Sequence, residues 1–184
     1  EDLKSAGISF PVIHCANSAG IIDFPESHFN MVRPGIVLYG ISPFDEKRND
    51  LDIQPVLSWK TRIIQLSHMS KKKPISYGGT FITKKNSVIA TIPVGYADGY
   101  HRLLSNKVFV LVNGNLAPQV GSICMDLTMI DVTGISGISV GDEVVLIGMQ
   151  GKKKIQATDL SDKIGTIPYE ILCNIGNRVI RTYS

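Results

Sequence analysis

From residue 56 onward, apolar and polar residues alternate in short segments that are separated by turn residues. Such alternation is typical of a β-strand with one face in water. The segment Val56–Met69 (VLSWKTRIIQLSHM) predicts one long strand of this kind. Six shorter segments are also predicted as strands: Val88–Val94, Lys107–Val112, Pro118–Met125, Leu127–Val132, Glu143–Ile147 and Lys154–Ala157. This spacing favours an antiparallel barrel or sandwich, so we expect a mainly β domain.

Turn and helix signals lie between and after these segments. Asn113-Gly114-Asn115 predicts the turn of a β-hairpin. A short helix is expected from Thr158 to Gly165, and a second one from Pro168, because proline is favoured in the first turn of a helix. The final residues, Arg178–Tyr183, predict one more strand.

The first 40 residues follow another pattern, in which helical and extended segments alternate. In chain order these are a helix end at Asp2–Gly7, a strand at Phe10–Cys15, a helix-like segment at Ile21–Phe29, and a strand and loop at Asn30–Gly40. This is the order of a parallel α/β unit, but it is too short to cover both faces of a parallel sheet. We therefore expect the chain to begin inside a domain that ends near residue 45, with a β-domain over residues 52–184.

Composition favours a folded, soluble protein. The chain has 43% hydrophobic residues and a mean hydropathy of +0.12, which fit a packed globule. Its apolar runs are far shorter than the roughly 18 residues of a membrane span, and its acidic start does not predict a signal peptide. Three cysteines without a CxxC pair favour reduced thiols in the cytoplasm, and the four histidines lack metal-ligand spacing.

The charge pattern does not predict a nucleic-acid partner. The net charge is only +3, and the two lysine clusters, Lys71–Lys73 and Lys152–Lys154, lie beside turn residues. Solvated hairpin tips explain these clusters better than a nucleic-acid surface, because no aromatic stacking residues accompany them.

Within the segment Lys71–Tyr100, Tyr77 and Tyr96 stand beside glycines that could expose their phenols. Tyr77 is followed by Gly78-Gly79, and Tyr96 is preceded by Gly95. Glycine lets a backbone approach another group closely and leaves a neighbouring phenol uncovered, so both phenols are candidates for a site. The alternative is that the glycines only form turns and the tyrosines pack at an edge.

Three further positions are candidates for chemistry. The loops Asn17–Ala19 and Arg33–Ile36 offer a serine hydroxyl and uncovered backbone N–H groups, which suit a phosphate dianion, although they are equally compatible with ordinary loops. The triplet Cys124-Met125-Asp126 ends a predicted strand, and its thiol is either a nucleophile or a buried, unreactive cysteine. Tyr169 stands at a predicted helix start, where its phenol meets either an anion or an interface.

Taken together and in order, six segments resemble the bacterial alanine racemases. They are HCANSAG (14–20), NMVRPGIVLYG (30–40), ISYGGTF (75–81), TIPVGYADGY (91–100), VGSICMD (120–126) and IPYEILC (167–173). The resemblance covers the C-terminal half of these enzymes. It implies the last strands of a (β/α)8 barrel followed by a C-terminal antiparallel β-domain, within an enzyme that is α/β overall.

The resemblance also implies a cofactor, a partner and a reaction. These enzymes use pyridoxal 5'-phosphate to interconvert L-alanine and D-alanine, and D-alanine serves the peptidoglycan of the cell wall. They act as homodimers in which the two subunits share each active site. We expect a cytoplasmic protein from its reduced thiols, and we expect it to bind neither a membrane nor nucleic acid, because its apolar runs are short and its lysine clusters lack aromatic residues.

Roles for individual residues follow from the matching motifs. Tyr77 resembles the catalytic base on the L-alanine side, and Met125 resembles the residue whose N–H meets the substrate carboxylate. Tyr96 and Arg102 match the substrate channel, and Asp126 matches its wall. The cofactor-binding residues implied are Ser18, Gly35, Ile36 and Tyr169 for the phosphate, Arg33 for the pyridine nitrogen, and His14 as support for that arginine.

No lysine of this chain matches the motif that carries the family's Schiff-base lysine. We therefore expect the cofactor's lysine anchor to be missing here, and the chain alone to be inactive. Two other functions stay open: a serine racemase of the vancomycin-resistance type, which shares this architecture, and a non-catalytic β-domain that serves binding or dimerisation.

Overall fold

The computed structural model describes residues 2–44 and 50–183. The chain forms two compact units, Glu1–Leu57 and Ser58–Ser184. In the first unit the helices are α1 (Asp2–Ser5) and α2 (Ser18–Asp23), and 3-10 turns cover Pro25–Ser27 and Ile36–Tyr39.

The ends of both helices in the first unit follow from local chemistry. Gly7 adopts a left-handed conformation (φ 76°) after α1, as expected for a glycine cap. Asn17 caps α2, because its side-chain oxygen accepts a hydrogen bond from the Gly20 N–H at 3.0 Å. The predicted helix end and the predicted helix-opening loop are therefore both confirmed.

The strand predicted at Phe10–Cys15 is wrong over most of its length. Only His14 pairs with the second segment, in a parallel bridge to Met31. The Asn30 side chain takes the place of further ladder bonds: it accepts from the Ile13 N–H at 2.7 Å and donates to the Pro11 carbonyl at 2.9 Å. A side-chain amide thus satisfies backbone groups that a sheet would otherwise pair.

The second unit consists mainly of short antiparallel strands. They are β1 (Trp59–Arg62), β2 (Gln65–Met69), β3 (Pro74–Ile75), β4 (Phe81–Ile82), β5 (Ser87–Ile92), β6 (Phe109–Val112), β7 (Asn115–Pro118), β8 (Thr128–Asp131), β9 (Glu143–Gln150) and β10 (Lys153–Ile155). One sheet has the order β1-β9-β6-β7, with β10 also paired to β9; a second has the order β2-β5-β8; β3 and β4 form a pair. The predicted antiparallel β-domain is confirmed.

Strand β9 lies at the centre of the larger sheet. Val144, Val145 and Leu146 are fully buried, so both of its faces are covered. This burial explains why its sequence is a continuous apolar run instead of an alternating one. Its partner β6 is buried in the same way, with Leu111 opposite Val145.

Val56–Met69 does not form the single long strand that its alternation predicts. The chain leaves one sheet after β1 and enters another at β2, and the change falls on the apolar pair Ile63-Ile64. The backbone N–H of Ile63 donates to the Asp142 carbonyl, beside β9, whereas that of Ile64 donates to the Thr91 carbonyl of β5. The backbone N–H groups of two consecutive residues thus bond to segments of two different sheets, which does not occur within a single regular strand.

The hairpin turn is confirmed, but two other strand predictions are wrong. Asn113 and Gly114, with φ of 47° and 72°, join β6 to β7 as a two-residue turn. Within the predicted strand Pro118–Met125, only Pro118 belongs to a strand, and Gly121 (φ 78°) opens a loop. No strand is present over residues 178–183.

Both C-terminal helices are present. They are α3 (Ala157–Ile164), which ends at Gly165 with φ 71°, and α4 (Pro168–Cys173), which begins with its proline. Over residues 2–44 and 50–183, no helix has both the length and the apolar composition that a membrane crossing requires.

Tyr100 is fully buried in the second unit and packs edge-on against Trp59, with ring centroids 5.9 Å apart. Its hydroxyl has no hydrogen-bond partner in the part of the chain that the structure describes. Burial raises the pKa of the Tyr100 phenol above its ordinary value, so the hydroxyl stays protonated.

We predict that Tyr100→Phe keeps or raises the free energy of unfolding, by up to about 1 kcal/mol, because it removes a buried hydroxyl without a partner. Tyr100→Ala is the contrasting variant, and the cavity it leaves should cost about 3–5 kcal/mol. Urea denaturation of both variants measures the difference. A clear loss of stability in Tyr100→Phe would contradict the prediction.

Candidate active site

A cavity of about 550 Å3 opens on the second unit. One side is formed by Tyr77, Tyr96 and Arg102, and the other by residues 122–127. Residues 121–127 are called the central loop below. The structure therefore brings together the two phenols, the arginine and Met125, which the sequence predicts as site residues.

Tyr77 lies on a 3-10 turn, Tyr77–Gly79, between β3 and β4. Its side chain is 77% exposed, so almost no neighbouring side chain covers the phenol. Such exposure leaves the hydroxyl free to meet a ligand, and it also means that the backbone must hold the residue in place.

Tyr96 lies on a second 3-10 turn, Tyr96–Asp98, which is bonded directly to the central loop. The Tyr96 N–H donates to the Cys124 carbonyl and the Ala97 N–H to the Met125 carbonyl, both at 3.0 Å. The buried Asp98 carboxylate closes the turn by accepting from the Gly95 N–H at 2.8 Å.

Gly95 is required by this close approach. Its backbone (φ −148°) is one that any residue adopts, so the constraint is steric. A Cβ at this position would lie 2.3 Å from the carbonyl oxygens of both Cys124 and Met125. Only a residue without a side chain lets the two segments bond at this distance.

Arg178, which does not line the cavity, bonds to both the Tyr96 turn and the central loop. Its Nε donates to Asp98 at 2.6 Å, and its Nη2 donates to Asp126 at 2.5 Å. These hydrogen bonds, first that with Asp98 and then that with Asp126, raise the pKa of Arg178, which stays charged. This role of Arg178 cannot be predicted from the sequence, because Arg178 stands 80 residues from Asp98 in a segment that predicts a strand.

Two groups of the cavity are left without protein partners. In residues 2–44 and 50–183, the Met125 N–H donates to no protein acceptor. The Arg102 guanidinium, on the 3-10 turn Arg102–Leu104, pairs with no carboxylate of the described chain. A backbone donor and a free cation beside an exposed phenol suit a small ligand that carries a carboxylate.

Cys124 also lines the cavity but is half-buried. Its sulfur lies 3.4 Å from the Ser76 hydroxyl and 3.6 Å from the Ser122 carbonyl oxygen. These contacts place the thiol under the Tyr77 turn.

In the first unit, Ser18 brings two predicted loops together. The buried Ser18 hydroxyl oxygen accepts from the Gly35 N–H at 2.9 Å and from the Val37 N–H at 3.5 Å. Its hydrogen is thereby left to donate, and the Ile36 N–H has no acceptor among the described residues. This set of donors fits a phosphate dianion.

Arg33 and His14 lie in the same unit. Arg33 is exposed, and its side-chain Nη2 donates to the Cys15 carbonyl at 3.2 Å. Its backbone N–H donates to the Ala16 carbonyl. His14 is exposed and forms the bridge to Met31 described above. The arginine is thus held beside Cys15 and Ala16, the residues shortly before Ser18.

Tyr169 belongs to the second unit but does not line its cavity. It lies in the first turn of α4 and is 42% exposed. Ser76 and Ser122, by contrast, contact the Tyr77 turn and were not predicted as functional. Both serines stand in motifs that carry the resemblance, Ser76 in ISYGGTF and Ser122 in VGSICMD, and these positions are the available signal.

Two family models match the chain. The model of the alanine racemase C-terminal domain matches residues 56–183, and that of the alanine racemase N-terminal domain matches residues 1–43. The chain belongs to the alanine racemase family. The predicted fold class, a mainly β C-terminal domain after the end of another domain, is confirmed for this family member.

Individual alanine racemases are similar over the whole chain. The alanine racemase of Halothermothrix orenii is 54% identical over 183 residues, which are 100% of this chain and 48% of that protein. The crystal structure of alanine racemase from Bacillus anthracis with bound L-Ala-P is 41% identical, with a TM-score of 0.89 over 96% of this chain and 46% of that one. The structure from Bartonella henselae with covalently bound pyridoxal phosphate is 35% identical, with a TM-score of 0.85 over 98% and 49%. The chain thus spans about half the length of these racemases.

We predict that Gly95→Ala lowers the free energy of unfolding by about 1–3 kcal/mol, because the new methyl group separates the Tyr96 turn from the central loop. Gly176→Ala is the matched control, since the nearest atom to its Cβ would lie 3.3 Å away. Urea denaturation compares the two. An equal effect of both substitutions would contradict the steric argument.

Proposed function

We propose that this chain is the C-terminal part of a pyridoxal 5'-phosphate-dependent alanine racemase that interconverts L-alanine and D-alanine. In this proposal residues 1–45 complete a (β/α)8 barrel and residues 52–184 form the β-domain. The observation that carries it is the exposed Tyr77 phenol, in one cavity with the unpaired Met125 N–H. Membership of the alanine racemase family supports the reaction.

The first unit has donors that fit the cofactor. The Ser18 hydroxyl and the Ile36 N–H would donate to the phosphate, and Gly35, whose N–H donates to Ser18, would leave space for the phosphate beside them. Tyr169 is assigned to the phosphate by the family resemblance alone. Pyridoxal phosphate, when bound, supplies an electron sink that stabilises negative charge at the α-carbon of the amino acid. Its covalent anchor, a lysine, would come from outside this chain.

Arg33 is assigned to the pyridine nitrogen, with His14 as its support. A guanidinium does not give up its proton in proteins, so it donates a hydrogen bond to that nitrogen without protonating it. An arginine in this position would leave the pyridine nitrogen unprotonated, which would limit side reactions such as transamination and favour movement of the α-proton.

Tyr77 is assigned to move that proton on the L-alanine side. Racemisation needs a base on each face of the planar α-carbon, because one group cannot easily reach both. Tyr77 would serve one face and the absent lysine the other. The Met125 N–H would hold the substrate carboxylate, and Tyr96, Arg102 and Asp126 would form the wall of the entrance.

The partner in this proposal is a second copy of the complete protein. The family's homodimer brings the β-domain of one subunit to the barrel of the other, so that Tyr77 and Met125 act on a cofactor held by the partner subunit. We place the enzyme in the cytoplasm, where its D-alanine supplies peptidoglycan synthesis.

In a complete racemase that contains this sequence, we predict that Tyr77→Phe slows loss of the α-hydrogen from L-alanine by about 10²-fold or more, and from D-alanine far less. The phenol is the base on only one face. Release of label from [2-²H]-L-alanine and [2-²H]-D-alanine into water measures both rates. Equal losses for the two enantiomers would refute the assigned face.

We also predict that the 184-residue polypeptide alone has no racemase activity, because it would hold one of the two bases. Purified from a host without alanine racemase and supplied with pyridoxal phosphate, it is tested by a coupled assay for D-alanine. The complete enzyme at the same concentration is the positive control. Measurable turnover by the polypeptide would overturn the prediction.

A further inference from the structure

Two serines join the Tyr77 turn to the central loop by reciprocal hydrogen bonds. The Ser76 hydroxyl donates to the Ser122 carbonyl at 2.6 Å, and the Ser122 hydroxyl donates to the Tyr77 carbonyl at 2.9 Å. Each serine thus uses its side chain to hold the backbone of the other segment. We call these two residues the serine pair.

The backbone of Ser76 is strained where these hydrogen bonds form. Ser76 has φ 63° and ψ −177°, a region that is essentially restricted to glycine and that is unfavourable for a residue with a side chain. The segments also approach closely, since a Cβ on Gly121 would lie 2.6 Å from the Ile75 carbonyl oxygen. A strained residue persists only where its surroundings hold it, and here the bonds to Ser122 do so.

The central loop is itself fixed on its other side. The Ile123 N–H donates to the Ser105 hydroxyl at 3.0 Å, and the Gly121 N–H donates to the Asn106 side chain at 2.6 Å. The serine pair therefore ties Tyr77 to an anchored segment. Because the Tyr77 side chain is 77% exposed, packing does little to hold it, and its position depends on these backbone contacts.

We infer that Ser76 and Ser122 are positioning residues for Tyr77, and that they hold its phenol where it meets the α-proton. The catalytic part of this inference rests on the proposed function of Tyr77. A misplacement of about 1 Å can lower a catalytic rate by about 10²-fold, so loss of either hydroxyl is expected to lower kcat.

The main test is Ser122→Ala in the complete, cofactor-loaded racemase, with Ser87→Ala as the matched control. Ser87 is equally buried, and its hydroxyl donates to the Lys85 carbonyl, outside the cavity lining. Ser122→Ala should lower kcat by about 10-fold or more with KM for alanine within about twofold. Its loss of α-deuterium should fall more for L-alanine than for D-alanine, and Ser87→Ala should do neither.

A second readout does not depend on activity. The enzyme is labelled with fluorotyrosine, and the ¹⁹F signal of Tyr77 is identified as the one that is missing from the labelled Tyr77→Phe variant. This signal reports the surroundings of the Tyr77 ring. We expect Ser122→Ala to shift or broaden that signal and Ser87→Ala to leave it unchanged. If the signal and the label loss from both enantiomers stay as in the parent enzyme, the inference is wrong.

Two substitutions of Ser76 distinguish the effect of its hydroxyl from the effect of its strained backbone. Ser76→Ala keeps the unfavourable φ, whereas Ser76→Gly removes the strain, so the glycine variant should melt at the higher temperature. Both should lose kcat like Ser122→Ala, and full activity of Ser76→Gly would refute a role for the hydroxyl. If Tyr77→Phe affects both enantiomers equally, the proposed function fails, and the ¹⁹F signal still decides whether the serine pair positions the ring.

Discussion

The backbone of the central loop is the constraint on which the cavity depends. Its carbonyl groups accept hydrogen bonds from the Tyr96 turn on one side and from Ser76 on the other. Two turns that are distant in sequence are therefore held at one loop by main-chain contacts. The chemistry of the site lies in side chains, but the distances between them are set by peptide groups.

Long-range contacts complete this arrangement. Arg178 reaches Asp98 and Asp126, so the end of the chain secures both sides of the cavity. The Asp98 carboxylate has a double function, since it also caps the turn that carries Tyr96. Gly95 makes the arrangement possible by leaving space where any side chain would collide with the loop.

Turns and helix ends that depend on neighbouring residues could be predicted from the sequence. The Asn113-Gly114 turn, the Gly165 helix end and the Pro168 helix start follow from single residues and their neighbours. Alternation failed at Ile63-Ile64, where the chain changes sheets, because the choice of sheet depends on partners far along the chain.

In the candidate site, too, residues within motifs could be predicted, and contacts between distant residues could not. Tyr77, Tyr96 and Met125 could be named from motifs that resemble a known family. Arg178 could not, because its partner Asp98 lies 80 residues away and nothing in its local sequence marks it. Ser122 stands in the motif VGSICMD, but its bond to the Tyr77 carbonyl, 45 residues away, could not be inferred from that motif. The roles proposed for the motif residues come from that resemblance, and what the structure adds is how their backbone is held.

The central position of β9 has a consequence during synthesis. Lys60 of β1 meets Glu143 of β9 across 83 residues, so β1 emerges from the ribosome long before its neighbour exists. At about 5–20 residues per second, the delay is of the order of 4–17 seconds. For that time the nascent β1, with the indole of Trp59, has no sheet to enter, and a chaperone that covers an exposed strand edge would act in this interval.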